Sequence, residues 1–205
     1  MDLIRKYFPE ITDSQLLLFE NLKEKLIEWN EKINLVSRKD IENLEINHIL
    51  HSLSIGKFID FTPNSEIMDL GTGGGLPGIP LAILFPNSNF LLIDRIGKKV
   101  RAAENIAKSL GLTNVRVRQG DVKENKDKFD FIIARGVMPQ NNMWELAKNH
   151  LKKINLNNLP NGLISLKGGN LNEELKGIRG NTVIKEIKDY FEEPFFETKK
   201  IVFTN

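Results

Sequence analysis

The chain has 205 residues, of which 40% are hydrophobic and 27% are charged, with a formal net charge of +2. This length supports one domain with a sizeable core, with room for a small appendage. The absence of cysteine excludes a disulfide framework, a thiolate metal site and any mechanism that attacks a base covalently through sulfur.

Neither a membrane nor a metal is indicated. No apolar run is long enough to cross a bilayer. The opening residues, MDLIRKYFPE, carry an acid and a proline where a signal sequence has its apolar core, so we expect a cytoplasmic protein. The three histidines, His48, His51 and His150, lack the spacing of a metal-binding motif, and we expect no metal. We also expect a monomer.

The amino-terminal third of the chain predicts helices. Thr12 or Asp13 is a candidate cap for the first helix. Apolar residues then recur at alternating spacings of three and four, as on one buried helix face: Phe19, Leu22, Leu26, Trp29 and Ile33. A second helix is predicted over residues 41–59, with four residues facing inward: Leu44, Ile49, Leu50 and Leu53. We expect a helical subdomain over residues 1–60 and a core over residues 61–205, together forming one compact unit.

The stretch IMDLGTGGGLPGIPL, Ile67 to Leu81, predicts a strand that ends in a ligand-binding loop. An apolar run with one acid, Asp69, leads directly into glycines 71, 73, 74, 75 and 78. Glycine permits positive φ and leaves no Cβ between the backbone and a bound molecule. The N–H groups of such a turn, and of a helix beginning near Pro77, favour negative charge or a lone pair. A flexible surface loop is the alternative, but apolar segments flank this one, and an adenosine-containing cofactor is our first expectation.

The glycines fit two classes of cofactor. From Gly73, GGGLPG matches G-x-G-x-x-G, and Asp94 ends the next predicted strand about 20 residues further on, as in a dinucleotide-binding fold. From Asp69, DLGTGGG resembles the first motif of class I S-adenosylmethionine-dependent methyltransferases, whose second strand also ends in an acid for the ribose hydroxyls. The loop by itself leaves both classes open.

The residues downstream of Asp94 favour the second class. A predicted helix is followed by a strand that closes at Gly120 and Asp121, and the apolar strand after it ends at Arg135. The carboxyl ends of parallel strands meet at the sheet edge where α/β proteins bind ligands. One charged strand end is often only solvated, but three at this spacing after a glycine loop resemble the class I series. We therefore predict an α/β, Rossmann-like fold with a mostly parallel sheet, helices on both faces and an N-terminal helical extension.

Basic residues are concentrated in the middle of the chain. Between residues 95 and 118 there is one acid, Glu104, and seven basic residues: Arg95, Lys98, Lys99, Arg101, Lys108, Arg116 and Arg118. Such clusters are the usual footprint of a phosphate backbone, although a charge run is also typical of a solvated helix face. The cluster favours a polyanionic substrate, with Lys98 and Arg101 as candidate contacts.

Six segments together resemble the RsmG family, also called glucose-inhibited division protein B, which is the bacterial 16S rRNA guanine methyltransferase family. They are WNEKINLVS (29–37), NHILHSL (47–53), DLGTGGGLPGIPLAI (69–83), LLIDRIGKKVR (91–101), FDFIIAR (129–135) and ISLKGG (164–169). The segment LPGIPLAI separates this family from generic methyltransferases. The resemblance implies methyl transfer from S-adenosyl-L-methionine to N-7 of a guanine in 16S rRNA, at position 527 of the decoding-region loop. Free 16S rRNA or the small ribosomal subunit would be the partner.

The resemblance also implies a set of cofactor-binding residues. Gly71, Gly73 and Leu76 match the cofactor loop of the family, and Asp94 matches its acid at the ribose. Val122 and Lys123 occupy the two positions near the adenine.

This chain departs from the family pattern at several positions. Lys123 stands where Glu is usual, and Asn47 and His51 stand for the Arg and Asp of the RHxxDS segment. The sequence ARGV replaces the commoner SRAx at Arg135. An apolar residue followed by a backbone N–H still suits adenine, so Val122 and Lys123 are kept as contacts, without a role for the Lys123 side chain.

Arg135 is the candidate catalytic residue. Guanine N-7 carries an in-plane lone pair, so its attack on a sulfonium methyl requires no proton removal, and alignment supplies on the order of 7–11 kcal/mol. The chain lacks the Asn/Asp-Pro-Pro-aromatic motif of exocyclic-amine methyltransferases and has Arg135 after the fourth strand instead. We predict that Arg135 contacts the methionine end of the cofactor or the acceptor face of guanine. Lys167, at a later strand end, is a second candidate, for a phosphate or base contact.

Two other functions stay open from the sequence. A nicotinamide-dependent oxidoreductase would use the G-x-G-x-x-G spacing, but Tyr7 and Tyr190 lie at the ends of the chain and supply no obvious Tyr-Lys pair for hydride transfer. A non-catalytic RNA- or nucleotide-binding module would agree with the departures at Asn47, His51 and Lys123.

Overall fold

The computed structural model describes residues 1–37 and 40–205. The strands are β1 (Glu66–Leu70), β2 (Asn89–Asp94), β3 (Val115–Gln119), β4 (Phe131–Arg135), β5 (Gly162–Gly168), β6 (Thr182–Glu186) and β7 (Lys199–Thr204). The α-helices are α1 (Asp2–Tyr7), α2 (Asp13–Lys32), α3 (His51–Phe58), α4 (Gly78–Leu84), α5 (Gly97–Ser109), α6 (Gln140–Ala147) and α7 (Asn172–Leu175). A π-helical turn, Glu45–Leu50, runs directly into α3, and short 3-10 turns occur at Val122–Glu124, Lys148–His150, Ile187–Asp189 and Pro194–Phe196.

The seven strands form one sheet in the order β3-β2-β1-β4-β5-β7-β6. Strands β1 to β5 are parallel, and β7 lies antiparallel between β5 and β6. The order reverses at β1, which pairs with β2 on one side and β4 on the other. In open α/β sheets this reversal leaves a crevice beyond the carboxyl ends of the strands, where ligands bind. The predicted mostly parallel sheet is confirmed, but the sequence pattern after Leu171 does not predict β6 and β7.

The sheet buries apolar side chains on both of its faces. Successive strand residues point to opposite sides, so on β4 Phe131 and Ile133 join one hydrophobic cluster while Ile132 and Ala134 join the other. Helices α2, α3, α4 and α5 contribute to the first cluster, and α6 covers the second through Met143 and Trp144. The predicted helices on both faces are confirmed.

The amino-terminal helices lie close to where the sequence places them. Thr12 caps α2 in a reciprocal arrangement, in which its side chain accepts the N–H of Gln15 and the Gln15 side chain accepts the N–H of Thr12. Seven of the residues predicted to face inward are buried in the cluster that also covers the sheet: Phe19, Leu22, Leu26, Leu44, Ile49, Leu50 and Leu53. Trp29 and Ile33, at the end of the predicted stripe, are only partly buried. The helical segment therefore shares a core with the sheet, while a boundary at residue 60 stays a prediction. None of the helices in the described ranges has the length and apolar character needed to span a bilayer.

Candidate functional site

Two cavities meet beyond the carboxyl ends of β1 and β4. The first, here called the β2–β3 cavity, has a volume of about 550 Å³ and is lined by the ends of β2 and β3. The second, here called the Arg135 cavity, has a volume of about 410 Å³ and lies beside the end of β4 and the helical segment. Gly71, Lys99 and Gly136 border both. Both volumes are typical of sites for small molecules.

The glycine loop separates the two cavities. Gly71 and Gly73 have positive φ angles of 69° and 57°. A Cβ at Gly71 would lie 2.8 Å from a methyl carbon of Val137, whereas a Cβ at Gly73 would meet no atom within 4 Å. Gly73 therefore faces open space, as a backbone position does where a ligand approaches closely. Leu76 is buried and lines the Arg135 cavity.

Asp94 joins the end of β2 to the glycine loop. One oxygen of its carboxylate accepts the N–H of Gly73 at 2.9 Å, and the other accepts the N–H of Ile96 at 2.9 Å. Each carboxylate oxygen can accept a second hydrogen bond, and Asp94 lines the β2–β3 cavity. The geometry suits the predicted contact with two neighbouring hydroxyl groups of a ribose.

The turn after β3 presents an apolar surface to the same cavity. Asp121 caps this turn by accepting the N–H of Lys123 at 2.9 Å. Val122 is buried and lines the cavity together with Asp121 and Lys123. Because the Lys123 N–H is used inside the turn, the side chain of Val122 is the group that this turn offers to a flat aromatic ring.

Arg135, at the end of β4, is held by a histidine of the helical segment. Its guanidinium donates to Nδ1 of His48 at 3.1 Å. Arginine has donors only, so this contact makes Nδ1 the acceptor and places the proton of the neutral ring on Nε2. Nε2 is buried, lies 3.8 Å from a carboxylate oxygen of Asp40 and forms no hydrogen bond with the described residues.

Burial and the charge of Arg135 keep the histidines of this cavity neutral. Burial and the neighbouring Arg135 lower the pKa of His48 to about 4, and they hold the pKa of His51 well below its usual value. His51 packs edge-on against Phe195 and Phe196. Asn47 donates to Asp40 at 3.0 Å. Where the family usually has Arg and Asp, Asn47 and His51 thus give the cavity an amide bonded to Asp40 and a neutral imidazole ring.

Asp69, at the end of the apolar strand β1, is fully buried. One of its oxygens accepts the Thr72 hydroxyl at 2.6 Å and the Gly78 N–H at 2.8 Å, which ties the loop to the start of α4. The other oxygen forms no hydrogen bond with the described residues. Burial raises the pKa of Asp69 to about 7, against the lowering effects of these bonds and of Arg135.

Replacing Asp69 with asparagine is expected to stabilise the protein at pH 8 and to destabilise it near pH 4, where only the cost of the unpaired NH₂ group remains. The folded state holds the proton of Asp69 up to about pH 7, whereas the unfolded state releases it near 3.8, so stability is lost as the pH rises between these values. The amide oxygen of Asn keeps both hydrogen bonds, but its NH₂ group gains no partner, which limits the expected gain to about 1–2 kcal/mol. Urea unfolding at both pH values measures the effect, with exposed Asp60→Asn as the control. An equal difference at both pH values would contradict this account.

Lys167 lies on β5 with its ammonium turned into the protein. Its side chain is only 9% exposed, and the ammonium bonds to Glu174 at 2.5 Å and to the Met138 carbonyl at 2.7 Å. Glu174 also accepts the N–H of Gln140 at 2.8 Å. These bonds hold the segment after β4, which lines the β2–β3 cavity. The predicted RNA contact of Lys167 does not fit this geometry, because two of its three ammonium protons are used internally.

Lys167→Met is expected to destabilise the fold by about 2–3 kcal/mol, because it leaves the carboxylate of Glu174 half-buried without its partner. The double change Lys167→Met with Glu174→Gln should recover part of this loss, since Gln still accepts the N–H of Gln140. A double-mutant cycle measured by urea unfolding separates the coupling from the single effects. Additive losses would show that the pair does not hold this segment.

The basic cluster is divided between paired and unpaired residues. Four members lie within 4 Å of a carboxylate: Arg95, Lys108, Arg116 and Arg118. Within the described part of the chain, Lys98, Lys99 and Arg101, all on α5, form no ion pair. Lys98 and Arg101 are exposed, and Lys99 borders both cavities. Of these three charges, that of Lys99 lies at the site, while those of Lys98 and Arg101 lie on the exposed surface of the same helix.

Two further residues of the Arg135 cavity are missed by the sequence reading. Phe195 and Lys199, from the tail, line this cavity, with the Lys199 ammonium 4.6 Å from the centre of the Phe195 ring. They reach the site because β7 inserts beside β5, a pairing that no local pattern indicates. In residues 1–37 and 40–205, metal-binding side chains do not gather in any group of three.

A sheet of order β3-β2-β1-β4-β5-β7-β6, with β7 antiparallel and a glycine loop after β1, is the arrangement that class I S-adenosylmethionine-dependent methyltransferases share. The fold places this chain in that class. Solved structures agree: a methyltransferase from Aquifex aeolicus has a TM-score of 0.56 and 17% identity, with 82% of this chain and 98% of that chain covered. A mutant of MtNAS in complex with S-adenosylmethionine has a TM-score of 0.59 and 14% identity, with 100% and 77% covered. At these identities the likeness concerns the fold alone.

Sequence comparison identifies the family. The family model described as rRNA small subunit methyltransferase G, GidB, matches residues 15–201. Ribosomal RNA small subunit methyltransferase G of Bacteroides thetaiotaomicron is 50% identical over 204 residues, covering 100% of this chain and 99% of the relative. The protein of the same name from Phocaeicola vulgatus is 50% identical over 203 residues, covering 99% and 97%. The chain belongs to the rRNA small subunit methyltransferase G family.

Proposed function

We propose that this protein transfers the methyl group of S-adenosyl-L-methionine to N-7 of a guanine in 16S rRNA. The protein is a methyltransferase, and S-adenosyl-L-methionine is its cofactor. The observation that carries the proposal is the meeting of the two cavities at Gly71 and Gly136. One cavity suits a nucleoside and the other holds Arg135, so a cofactor and an acceptor base would touch at that border.

The residues of the β2–β3 cavity fit the cofactor. We propose that Asp94 accepts the ribose hydroxyls and that Val122 and the backbone of Lys123 pack on the adenine. The loop of Gly71, Gly73 and Leu76, whose last two residues line the Arg135 cavity, would enclose the methionine end where the two cavities meet. Gly73 supports this placement because the space at its missing Cβ is open. When bound, S-adenosylmethionine supplies a methyl group made electrophilic by a positively charged sulfur.

The Arg135 cavity suits an acceptor that needs no base. Guanine N-7 has a lone pair in the plane of the ring, so the protein needs only to align it with the methyl group. His48 is neutral and uses Nδ1 to hold Arg135, and Arg135 retains donors for guanine O6 or for the carboxylate of the cofactor. We propose that residues 1–60 supply one wall of the acceptor side, opposite Arg135, Phe195 and Lys199, and that the cofactor side is formed by residues 61–205 alone.

The substrate is proposed to be 16S rRNA, free or in the small subunit, held by Lys98 and Arg101 on α5. Their exposure and lack of ion pairs within the described residues support a role in binding phosphate. A target base of this kind would be presented unstacked, as in other protein–RNA complexes. The rRNA substrate is consistent with a cytoplasmic protein, and we propose that it acts as a monomer, which sedimentation would test.

The decisive experiment is a map of methylated nucleotides in rRNA from cells with and without this protein. We expect one guanine to lose its N-7 methyl group in the cells that lack it, and an unchanged map would contradict the proposal. Purified protein with S-adenosylmethionine should restore the mark, and a parallel assay on free 16S rRNA and on small subunits identifies the form used. Binding of S-adenosylmethionine but not NAD in calorimetry, together with turnover, would exclude both the oxidoreductase and the non-catalytic module.

A further inference from the structure

We propose that Asp40 recognises the acceptor base by accepting hydrogen bonds from N1–H and the 2-amino group of guanine. This assignment rests on the proposed function and concerns how the Arg135 cavity distinguishes guanine from other bases. Asp40 lines this cavity and not the β2–β3 cavity. It therefore lies on the acceptor side of the site.

The carboxylate of Asp40 is held in place but still has room to accept. The Ser37 hydroxyl donates to one oxygen at 2.6 Å, and the Asn47 amide donates to the other at 3.0 Å. Each carboxylate oxygen accepts about two hydrogen bonds, so the bonds from the described residues leave one position on each oxygen. The side chain is 38% exposed. Two neighbouring acceptor positions with a fixed orientation match two neighbouring N–H donors.

Asp40 is ionised at neutral pH. The hydrogen bonds from Ser37 and Asn47 lower its pKa more than burial raises it, and the nearby charge of Arg135 adds a smaller lowering effect. An ionised carboxylate accepts hydrogen bonds and donates none. Because it only accepts, the Asp40 carboxylate favours a base that presents hydrogen-bond donors to it over a base that presents acceptors.

The cavity is a donor at one end and an acceptor at the other. Arg135 can only donate, Asp40 can only accept, and His48 lies between them, bonded to Arg135 at 3.1 Å and 3.8 Å from Asp40. Guanine has the matching order, with the acceptor O6 followed by the donors N1–H and 2-NH₂. Adenine has the reverse order, a 6-NH₂ donor followed by the acceptor N1, so it would face like groups at both ends. A site built around hydrogen bonds rejects such a base strongly.

The same orientation directs N-7 toward the methyl donor. N-7 is next to O6, and O6 lies at the Arg135 end in this placement. Arg135 is followed by Gly136, which borders the cofactor side. Asp40 then contacts N1–H and the 2-amino group of guanine, which lie on the side of the base farther from the methyl group being transferred.

A substrate analogue tests this contact directly. Small subunits are reconstituted with 16S rRNA that carries guanosine or inosine at the methylated nucleotide, since inosine lacks only the 2-amino group. With the wild-type protein, we expect inosine to lower kcat/KM by on the order of tenfold to a hundredfold, because a hydrogen bond to a charged acceptor is lost. With Asp40→Ala, guanosine and inosine should react at nearly equal rates.

Control variants separate recognition from folding. Glu42→Gln changes an exposed carboxylate two residues away and should keep the wild-type preference. Asp40→Ala should bind S-adenosylmethionine normally, and Asp40→Asn, which keeps one acceptor oxygen, should keep part of the preference. If both Asp40 variants kept the full preference for guanosine, the role of Asp40 in recognising guanine would be overturned, while the proposed methyl transfer would still stand. If the wild-type protein leaves guanosine subunits unmethylated, the proposed function is overturned together with it.

Discussion

Arg135→Ala is expected to lower kcat/KM for methyl transfer by about a hundredfold to a thousandfold, which is typical for loss of an oriented donor in a site shielded from water. Arg135 is half-buried in the Arg135 cavity, next to Gly136, which borders both cavities, and its one side-chain hydrogen bond within the described residues goes to His48. Its other donors are therefore available to the reactants. The change would also leave Nδ1 of His48 without its hydrogen-bond donor. His48 lies between Arg135 and Asp40, so its ring would be held less firmly beside Asp40.

The comparison with lysine separates the charge of Arg135 from its shape. Arg135→Lys keeps a positive charge but loses the planar fork that bonds a histidine and a reactant at the same time, so we expect most of the loss to remain. Arg5→Ala, which removes an exposed arginine on α1, should leave activity unchanged. Methyl transfer and calorimetry with S-adenosylmethionine are measured for each variant. Full turnover and full cofactor affinity in Arg135→Ala would show that this residue has no role in the reaction.

Gly73→Ala is expected to weaken binding of S-adenosylmethionine by about tenfold to a hundredfold. The added methyl group would occupy the open space beside the loop, and overfilling a fitted site typically costs about 1–3 kcal/mol. The positive φ of 57° adds about 1–2 kcal/mol of strain to the folded protein. Two effects are thus combined in one substitution, and a control is needed to separate them.

Gly111 offers that control. It follows α5 with a φ of 68°, and a Cβ there would also meet no atom within 4 Å, but it lines neither cavity. Gly111→Ala should therefore lose a similar amount of stability in urea unfolding while binding the cofactor normally in calorimetry. Equal cofactor affinities of the two variants would show that Gly73 does not face the cofactor.

Much of the fold follows from local pattern. The spacing of Phe19, Leu22 and Leu26 predicts α2, and the alternation of two buried faces on β4 agrees with its uninterrupted apolar sequence. The end of β2 at Asp94 and the glycine loop after β1 are also where the sequence places them. These features depend on interactions between residues close in the chain, which a single sequence displays directly.

The part of the site that is formed by segments distant in the chain could not be predicted from local sequence pattern. Lys167 has the type and position of an RNA contact, yet Glu174 and the Met138 carbonyl take its ammonium. Phe195 and Lys199 reach the Arg135 cavity only because β7 enters the sheet beside β5. The direction of a charged side chain depends on which partner lies within about 3 Å of it.

The sequence alone determined the family and the glycine loop and made Asp94 and Arg135 candidate site residues, because each depends on residue types at short, regular spacings. Only the tertiary structure decided that His48 accepts from Arg135, that Asp40 lies beside them, and that Lys167 is held internally. Those contacts join residues that are far apart in the chain. Their hydrogen-bond roles and protonation follow from burial and from the neighbouring charge, which exist only once the sheet and the helical segment have packed together.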